Sequence, residues 1–286
     1  MILLDLNQVM ISNLMIQTEG GRSDMDEGLI RHMVLNSIRM YRTKFKEYGD
    51  IVICCDDKNY WRKEIFPYYK AHRKEDRAKS ILDWQLIFES LNKIREELKV
   101  HFPYRVLQIE HAEADDIIGT LSNRFGVQIN ASDTEKILIL SGDKDFGQLQ
   151  KYANVVQFSP VTKKWIKISD AERFLKEHIL KGDRGDGIPN FLSKDSCIIQ
   201  KERQRPLATK KIEMWVNKSP EEFCDDEMLK NYKRNQQLVD LNFVPEQIKQ
   251  GVNDAYDKYE VPSRKGLLNY FIKHRLSRLT DSIGEF

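Results

Sequence analysis

The chain has 286 residues, with 46 Lys+Arg against 44 Asp+Glu for a formal net charge of +2; 41% of residues are apolar and 31% charged. That length can bury one large core or two smaller ones, and 8 Pro with 14 Gly exclude a collagen-like or low-complexity chain. No apolar run approaches the ~18 residues that span a bilayer, and MILLDLNQVM has no basic stretch before Asp5, so no signal peptide is expected.

In chain order, Ile2-Leu3-Leu4 is a short buried-strand candidate. Leu29, Met33, Val34, Ile38, Tyr41 and Phe45 recur at helical spacing, and Gly49 ends that helix. Ile51 to Cys55 is a β-branched buried strand. Leu82, Ile87, Leu91, Ile94 and Leu98 mark a second helix, and Tyr104 to Ile109 a strand. A helix is expected from about Ala114 to Phe125. Ile137 to Leu140 and Val155 to Phe158 read as strands. Strands alternating with helices predict an α/β fold with a mostly parallel central sheet flanked by helices. From about Asp170 strand signals stop and helical patterns take over. The expected division is therefore an α/β core over 1–169 and a mainly helical lobe over 170–286. Cys54, Cys55, Cys197 and Cys224 lack CxxC spacing and read as reduced thiols of a cytoplasmic protein.

Acids recur where elements end. Asp5 follows the first strand, and Asp56 and Asp57 the second. Glu113, Asp115 and Asp116 open the helix after the third, in H-A-E-A-D-D. Asp143 and Asp145 follow the fourth, in L-S-G-D-K-D-F, and Asp183 and Asp186 lie in L-K-G-D-R-G-D. Taken singly, an Asp after a strand is most often the cap of the next helix. Taken together, carboxyl ends of parallel strands converge on one cleft. Uncompensated carboxylates there repel one another. With no His or Cys set read beside them, these hard oxygens point to Mg²⁺, with Mn²⁺ as a substitute, rather than Zn²⁺. So many carboxylates can hold two ions ~3.5–4 Å apart, suited to phosphodiester hydrolysis. No Gly-rich nucleotide motif and no Ser or Cys nucleophile motif is present. Asn7 stands where an aspartyl-phosphate phosphatase needs its second acid.

Near-zero net charge argues against a nucleic-acid binder, but the charges are segregated. Residues 58–79 carry eight Lys/Arg against three acids, interleaved with Tyr60, Trp61, Phe66, Tyr68 and Tyr69. Bases among aromatics suit a single-stranded nucleic-acid channel, although an ordinary solvated helix explains them too. Residues 194–218 carry seven Lys/Arg against three acids, and 263–286 five against two. These two stretches, on residues alone, are more often solvated faces. Setting aside the nine cleft acids (Asp57 is not counted) turns the net +2 into +11 for the rest of the chain.

The ordered set Asp5, I-C-C-D-D, Y-Y-K-A-H-R, E-A-D-D, S-G-D-K-D-F and K-G-D-R-G-D resembles the 5′-nuclease (flap-endonuclease-like) superfamily. Within it, P-V-T-K-K-W-I-K-I and N-Y-F-I-K-H-R-L-S-R-L-T-D-S-I-G-E-F resemble the ribonuclease H branch of T-even bacteriophages. The resemblance implies a PIN-like nuclease core with a basic arch at about 58–80 and a helical DNA-binding lobe. It implies a Mg²⁺-dependent 5′→3′ exonuclease with flap endonuclease and ribonuclease H activity, which removes RNA primers during replication. Its substrates would be RNA–DNA hybrid and branched or flapped duplex. Partners would include single-stranded-DNA-binding and other replication proteins; the chain would act as a monomer in the host cytoplasm. By the same resemblance Asp5, Asp56, Asp115 and Asp143 hold a first ion, Glu113 lies between the sites, and Asp145, Asp183 and Asp186 hold a second. Asp116 closes E-A-D-D and is counted with the ligands. Lys70, Asp115 and Asp143 carry catalysis. Tyr69, Lys70 and Arg73 match the base of the arch, and Arg62 and Lys63 match other basic arch positions.

The chain departs from the family at D-G-I-P-N-F-L-S-K-D-S, where a Gly-rich turn is usual. Duplex contacts are expected instead from Lys194, Lys201, Arg203, Lys210 and Lys211. No clamp-docking tail is expected before the first strand. Two other readings are a single-domain PIN ribonuclease acting on single strands, and a non-catalytic nucleic-acid-binding protein whose acids are only caps.

Overall fold

The computed structural model describes residues 1–18, 26–80, 82–128 and 135–286. Among the described residues six strands form one sheet: β1 (Ile2–Asp5), β2 (Ile51–Cys55), β3 (Arg105–Gln108), β4 (Ile137–Leu140), β5 (Val155–Ser159) and β6 (Lys164–Ile166). Their spatial order is β3-β2-β1-β4-β5-β6, with every pair parallel except the β5–β6 hairpin. The mostly parallel sheet is as expected. β1, β2 and β4 are buried along their whole length, as strands covered on both faces must be. The chain winds outward from β1 through β2 to β3, then crosses back to β4 on the other side of β1. That reversal puts a crevice at the carboxyl ends of β1 and β4.

The helices are α1 (Leu6–Thr18), α2 (Glu27–Lys44), α3 (Trp61–Ile65), α4 (Arg73–Ala78), α5 (Trp84–His101), α6 (Ala114–Phe125), α7 (Ala171–Lys181), α8 (Thr209–Trp215), α9 (Asp226–Val239), α10 (Glu246–Lys258), α11 (Leu267–Lys273) and α12 (Ser277–Thr280). Helices α2, α5 and α6 lie where the apolar spacing predicts them. Asp26 and Asp83 cap α2 and α5 by accepting from Leu29 N and Leu86 N.

Three apolar clusters hold these layers. One sheet face packs on α1, α2, α5 and the C-terminal residues Leu267, Tyr270, Phe271, Leu276, Leu279 and Phe286. The other packs on α6 and on Leu241, Val244, Ile248 and Val252. The third lies under α7, α8 and α9 and includes Phe66 and Tyr69 from the basic segment. Residues 241–286 therefore dress the two faces of the sheet, while 171–239 gather around their own core. All four cysteines are free thiols. Among the described residues no helix is long and apolar enough to cross a membrane.

Candidate active site

Each acid at a strand end first does local work. Asp5 Oδ1 accepts from Gln8 N (3.1 Å) at the start of α1. Asp56 Oδ1 accepts from Ala114 N (2.7 Å) at the start of α6, and its Oδ2 from Asn7 Nδ2 (2.7 Å). Asp143 Oδ1 accepts from Asp145 N, and Asp183 Oδ1 from Gly185 N. The capping explanation is thus correct for Asp5, Asp143 and Asp183, and incomplete; Asp56 caps a distant helix rather than the next one. The caps also aim the carboxylates, so Asp5, Asp56, Asp115 and Asp143 line one cleft of about 750 Å³.

Burial raises these acids. Asp5 is pushed up to about 7, first by burial and then by the neighbouring Asp56. Asp115 lies well above the ordinary carboxylate range through burial and Asp143. Burial also raises Asp56 and Asp143. Asp145 is raised well above its ordinary value by burial, then by Asp143, Asp186 and Asp183. Carboxylates this close resist ionising together unless a cation joins them.

Glu113 and Asp186 are tied to the basic segment. Lys70 Nζ lies 2.5 Å from Glu113 Oε1 and 3.6 Å from Asp186 Oδ2. Tyr69 Oη lies 2.9 Å from an oxygen of each carboxylate and shares its one proton between them. Arg73 meets Asp186 at 2.6 Å. Burial works against ionisation of Glu113, but Lys70 and Arg62 outweigh it and hold this carboxyl below its ordinary range. Lys70 has φ +55°, a conformation that costs a non-glycine residue ~1 kcal/mol or more and concentrates at functional sites. Its amide donates to Asp186 O (2.7 Å), which fixes the lysine head between two acids.

Three expectations need correction. Arg62 is not on an arch surface: it is 2% exposed, pairs with Glu113 (2.9 Å) and Asp116 (2.8 Å), and donates to Leu238 O. No phosphate can reach it there. Asp116 does not join the cleft acids. It is fully buried, accepts from Trp61 Nε1 and from the Glu113 amide, and thereby seats the start of α6. Tyr69 is 2% exposed, with its ring in the third core, so no base can stack on it in this conformation. Lys63, Lys194, Lys201, Arg203, Lys210 and Lys211 are exposed, and Arg73 is half-buried. Lys201 also pairs with Glu75 of α4 (2.7 Å), joining the lobe to the basic segment.

Several site residues were read from the sequence only as part of the basic segment, or not at all. Lys58, Tyr60, Arg77, Phe88, Asn92 and Arg95 complete the cleft wall; the last three belong to α5, whose periodicity reads only as core packing. Ser141 Oγ donates to Asp5 (3.2 Å). Buried Gln157 donates to Ser141 O and Asp143 O, holding the β4 turn. His178 lies against Asp145 and Asp183. It precedes K-G-D by three residues, a spacing the acid motif does not advertise.

A crevice of carboxylates at the switch point of a parallel sheet, with a lysine lodged among them, defines a hydrolytic nuclease of the PIN-like fold. The chain belongs to the 5′-3′ exonuclease family: residues 2–179 match its N-terminal resolvase-like domain and residues 169–286 match the T4 RNase H C-terminal domain. It is a metal-dependent nuclease of the 5′-3′ exonuclease and flap-endonuclease class. It is 35% identical over 295 residues to ribonuclease H of Enterobacteria phage T4, covering 99% of this chain and 95% of that protein. It is also 33% identical over 155 residues to a 5′-3′ exonuclease of Buchnera aphidicola, spanning 51% of this chain and 49% of that one. The fold matches the 5′-exonuclease of phage T5 in a zinc-bound structure, with TM-score 0.59 and 20% identity over 91% of this chain and 99% of that one. It also matches a T5 flap endonuclease solved with DNA and metal ions, with TM-score 0.60 and 19% identity over 90% and 97%.

Proposed function

We propose that the chain is a two-ion, Mg²⁺-dependent 5′→3′ exonuclease and flap endonuclease. Its substrates are RNA–DNA hybrid and duplex DNA bearing 5′ ends or flaps, and its role is primer removal in replication. The observation that carries this reading is the set of buried, mutually raised carboxylates converging beside Lys70. Asp5, Asp56, Asp115 and Asp143 would hold one ion, and Asp145, Asp183 and Asp186 the other, with Glu113 between them. Bound there, divalent ions supply a water of lowered pKa and charge stabilisation at the phosphate. The chain's own part is orientation. Asp5 and Asp56 are each pinned by a backbone amide. Lys70, released from Glu113 by an arriving phosphate, stabilises the charge that develops on it. Arg73, which lines the cleft, and the exposed Lys63 would meet the frayed 5′ end. Residues 170–286, through Lys194, Lys201, Arg203, Lys210 and Lys211, hold the duplex. The enzyme works as a monomer in host cytoplasm beside single-stranded-DNA-binding and other replication proteins.

The test is cleavage of a 5′-labelled flap, a nicked duplex and an RNA–DNA hybrid in Mg²⁺. Asp143→Asn or Asp115→Asn should lose cleavage while retaining DNA binding. Near wild-type cutting by either variant sinks the assignment. Activity confined to unstructured RNA would favour the single-strand ribonuclease reading instead.

A further inference from the structure

The cleft acids offer only oxygen, but one part of the site also presents nitrogen. His178 sits near the end of α7, 6% exposed. Its Nδ1 is 3.5 Å from Asp145 Oδ1 and its Nε2 is 3.6 Å from Asp183 Oδ2. Both separations exceed a good hydrogen bond, and both His178 Nε2 and Asp145 Oδ1 are buried without a hydrogen-bond partner. One donor atom from each of the three residues falls within 4.8 Å of the others. Leaving buried polar atoms unpaired costs about 1–3 kcal/mol each, and a cation held among the three residues would satisfy both.

We infer that Asp145, His178 and Asp183 form a mixed nitrogen–oxygen cation site that prefers a first-row transition ion, of the Mn²⁺ to Zn²⁺ series, over Mg²⁺. The inference rests on the proposal that this end of the acid cluster takes the second ion. Imidazole is a good ligand for transition ions, whereas Mg²⁺ keeps oxygen ligands and water. Asp5, Asp56, Asp115 and Asp143 in the main cleft offer only oxygen and suit Mg²⁺, so the two sites differ in chemistry. The ring is held from behind by Phe174, edge-on at 6.0 Å. Lys144 lies 3.2 Å from the same Asp183 oxygen but is half exposed, so it can swing into water when a cation arrives.

Pulsed EPR of the full-length protein loaded with Mn²⁺ tests this. The expected result is a ¹⁴N coupling on a bound ion in the wild type, lost in His178→Gln. In parallel, His178→Gln should weaken Co²⁺ binding by about tenfold or more and leave Mg²⁺ binding within about threefold. Bound Mn²⁺ without ¹⁴N coupling in the wild type, or coupling that survives His178→Gln, overturns the inference and makes His178 a buried counter-charge. The wild-type spectrum decides even if the variant folds poorly. That failure would leave the nuclease reading standing. Absence of any bound divalent ion would sink both.

Discussion

Arg62 changes meaning once its surroundings are known. In sequence it is one of eight bases in an aromatic-rich run. In the structure it is the buried counter-charge to Glu113 and Asp116. Removing one partner of a buried ion cluster strands the others, typically at about 3–5 kcal/mol. Arg62→Ala should therefore lower stability by about that much in denaturant melts, whereas Lys63→Ala on the surface should stay within about 0.5 kcal/mol. Equal effects would refute the buried role. Asp5 makes a second residue-scale prediction. Its carboxyl is raised from 3.8 to about 7 in the fold. A raised acid contributes stability that is fully present below its unfolded value and is lost as pH rises through the folded one. The ion-free protein should therefore weaken between about pH 4 and 7. Divalent ions bind the ionised cluster and should restore it, with a larger rise in melting temperature from Mg²⁺ at pH 8 than at pH 5. An equal rise at both pH values would count against it.

At the scale of elements, the loop after α7 is the most constrained part of the site. Gly182 has φ +67°, and a Cβ there would come within 2.4 Å of Pro189 O. The Asp183–Ile188 bridge closes the turn, and Gly187, at φ +76°, packs under Tyr68 O. Gly182→Ala should therefore displace Asp183 and Asp186 together. The expected outcome is a destabilisation of about 1–3 kcal/mol with cleavage lost more severely than stability, read by melting temperature and single-turnover rate. A variant with unchanged rate would show that the turn does not position the acids. Elements that the sequence announces share a local cause: a run of β-branched residues, or apolar side chains at helical spacing. α1 begins at Leu6, directly after β1, with no Gly or Pro between them, so nothing marks the change from strand to helix. β6 is three residues, mostly exposed, and exists only because β5 offers it an edge.

Across the whole molecule, residues 171–239 keep a core of their own, but the C-terminal residues do not stay with them. Leu267, Tyr270, Phe271, Leu276, Leu279 and Phe286 lie in the same core as β1 and α2. Truncation after residue 263 should therefore give an insoluble or unfolded chain rather than a trimmed nuclease, as judged by solubility and circular dichroism. A soluble, cooperatively melting truncate would contradict this packing. The opposed charge patches make a further prediction. If Lys194, Lys201, Arg203, Lys210 and Lys211 touch phosphates, each Ala variant should weaken duplex binding regardless of sequence. Each should also reduce the slope of log affinity against log salt by about 1. An unchanged slope would remove that residue from the interface.

Most of the acids were legible in the sequence because they follow a strand or open a helix, and such positions are set by neighbours a few residues away; Asp183 and Asp186 were legible only through their motif. Strand alternation with helices likewise determined the parallel sheet, and with it the edge on which those acids meet. What only the tertiary structure decided was which charges face one another. Arg62 and Asp116 turn inward, Lys70 comes to rest between Glu113 and Asp186, and His178 closes on Asp145 and Asp183, through contacts that span tens of residues or more except for His178–Asp183. Local spacing sets where a side chain leaves the backbone. Burial and the partner that compensates its charge are settled only when distant elements pack, and those partners separate a metal ligand, a counter-ion and a surface base of identical sequence appearance.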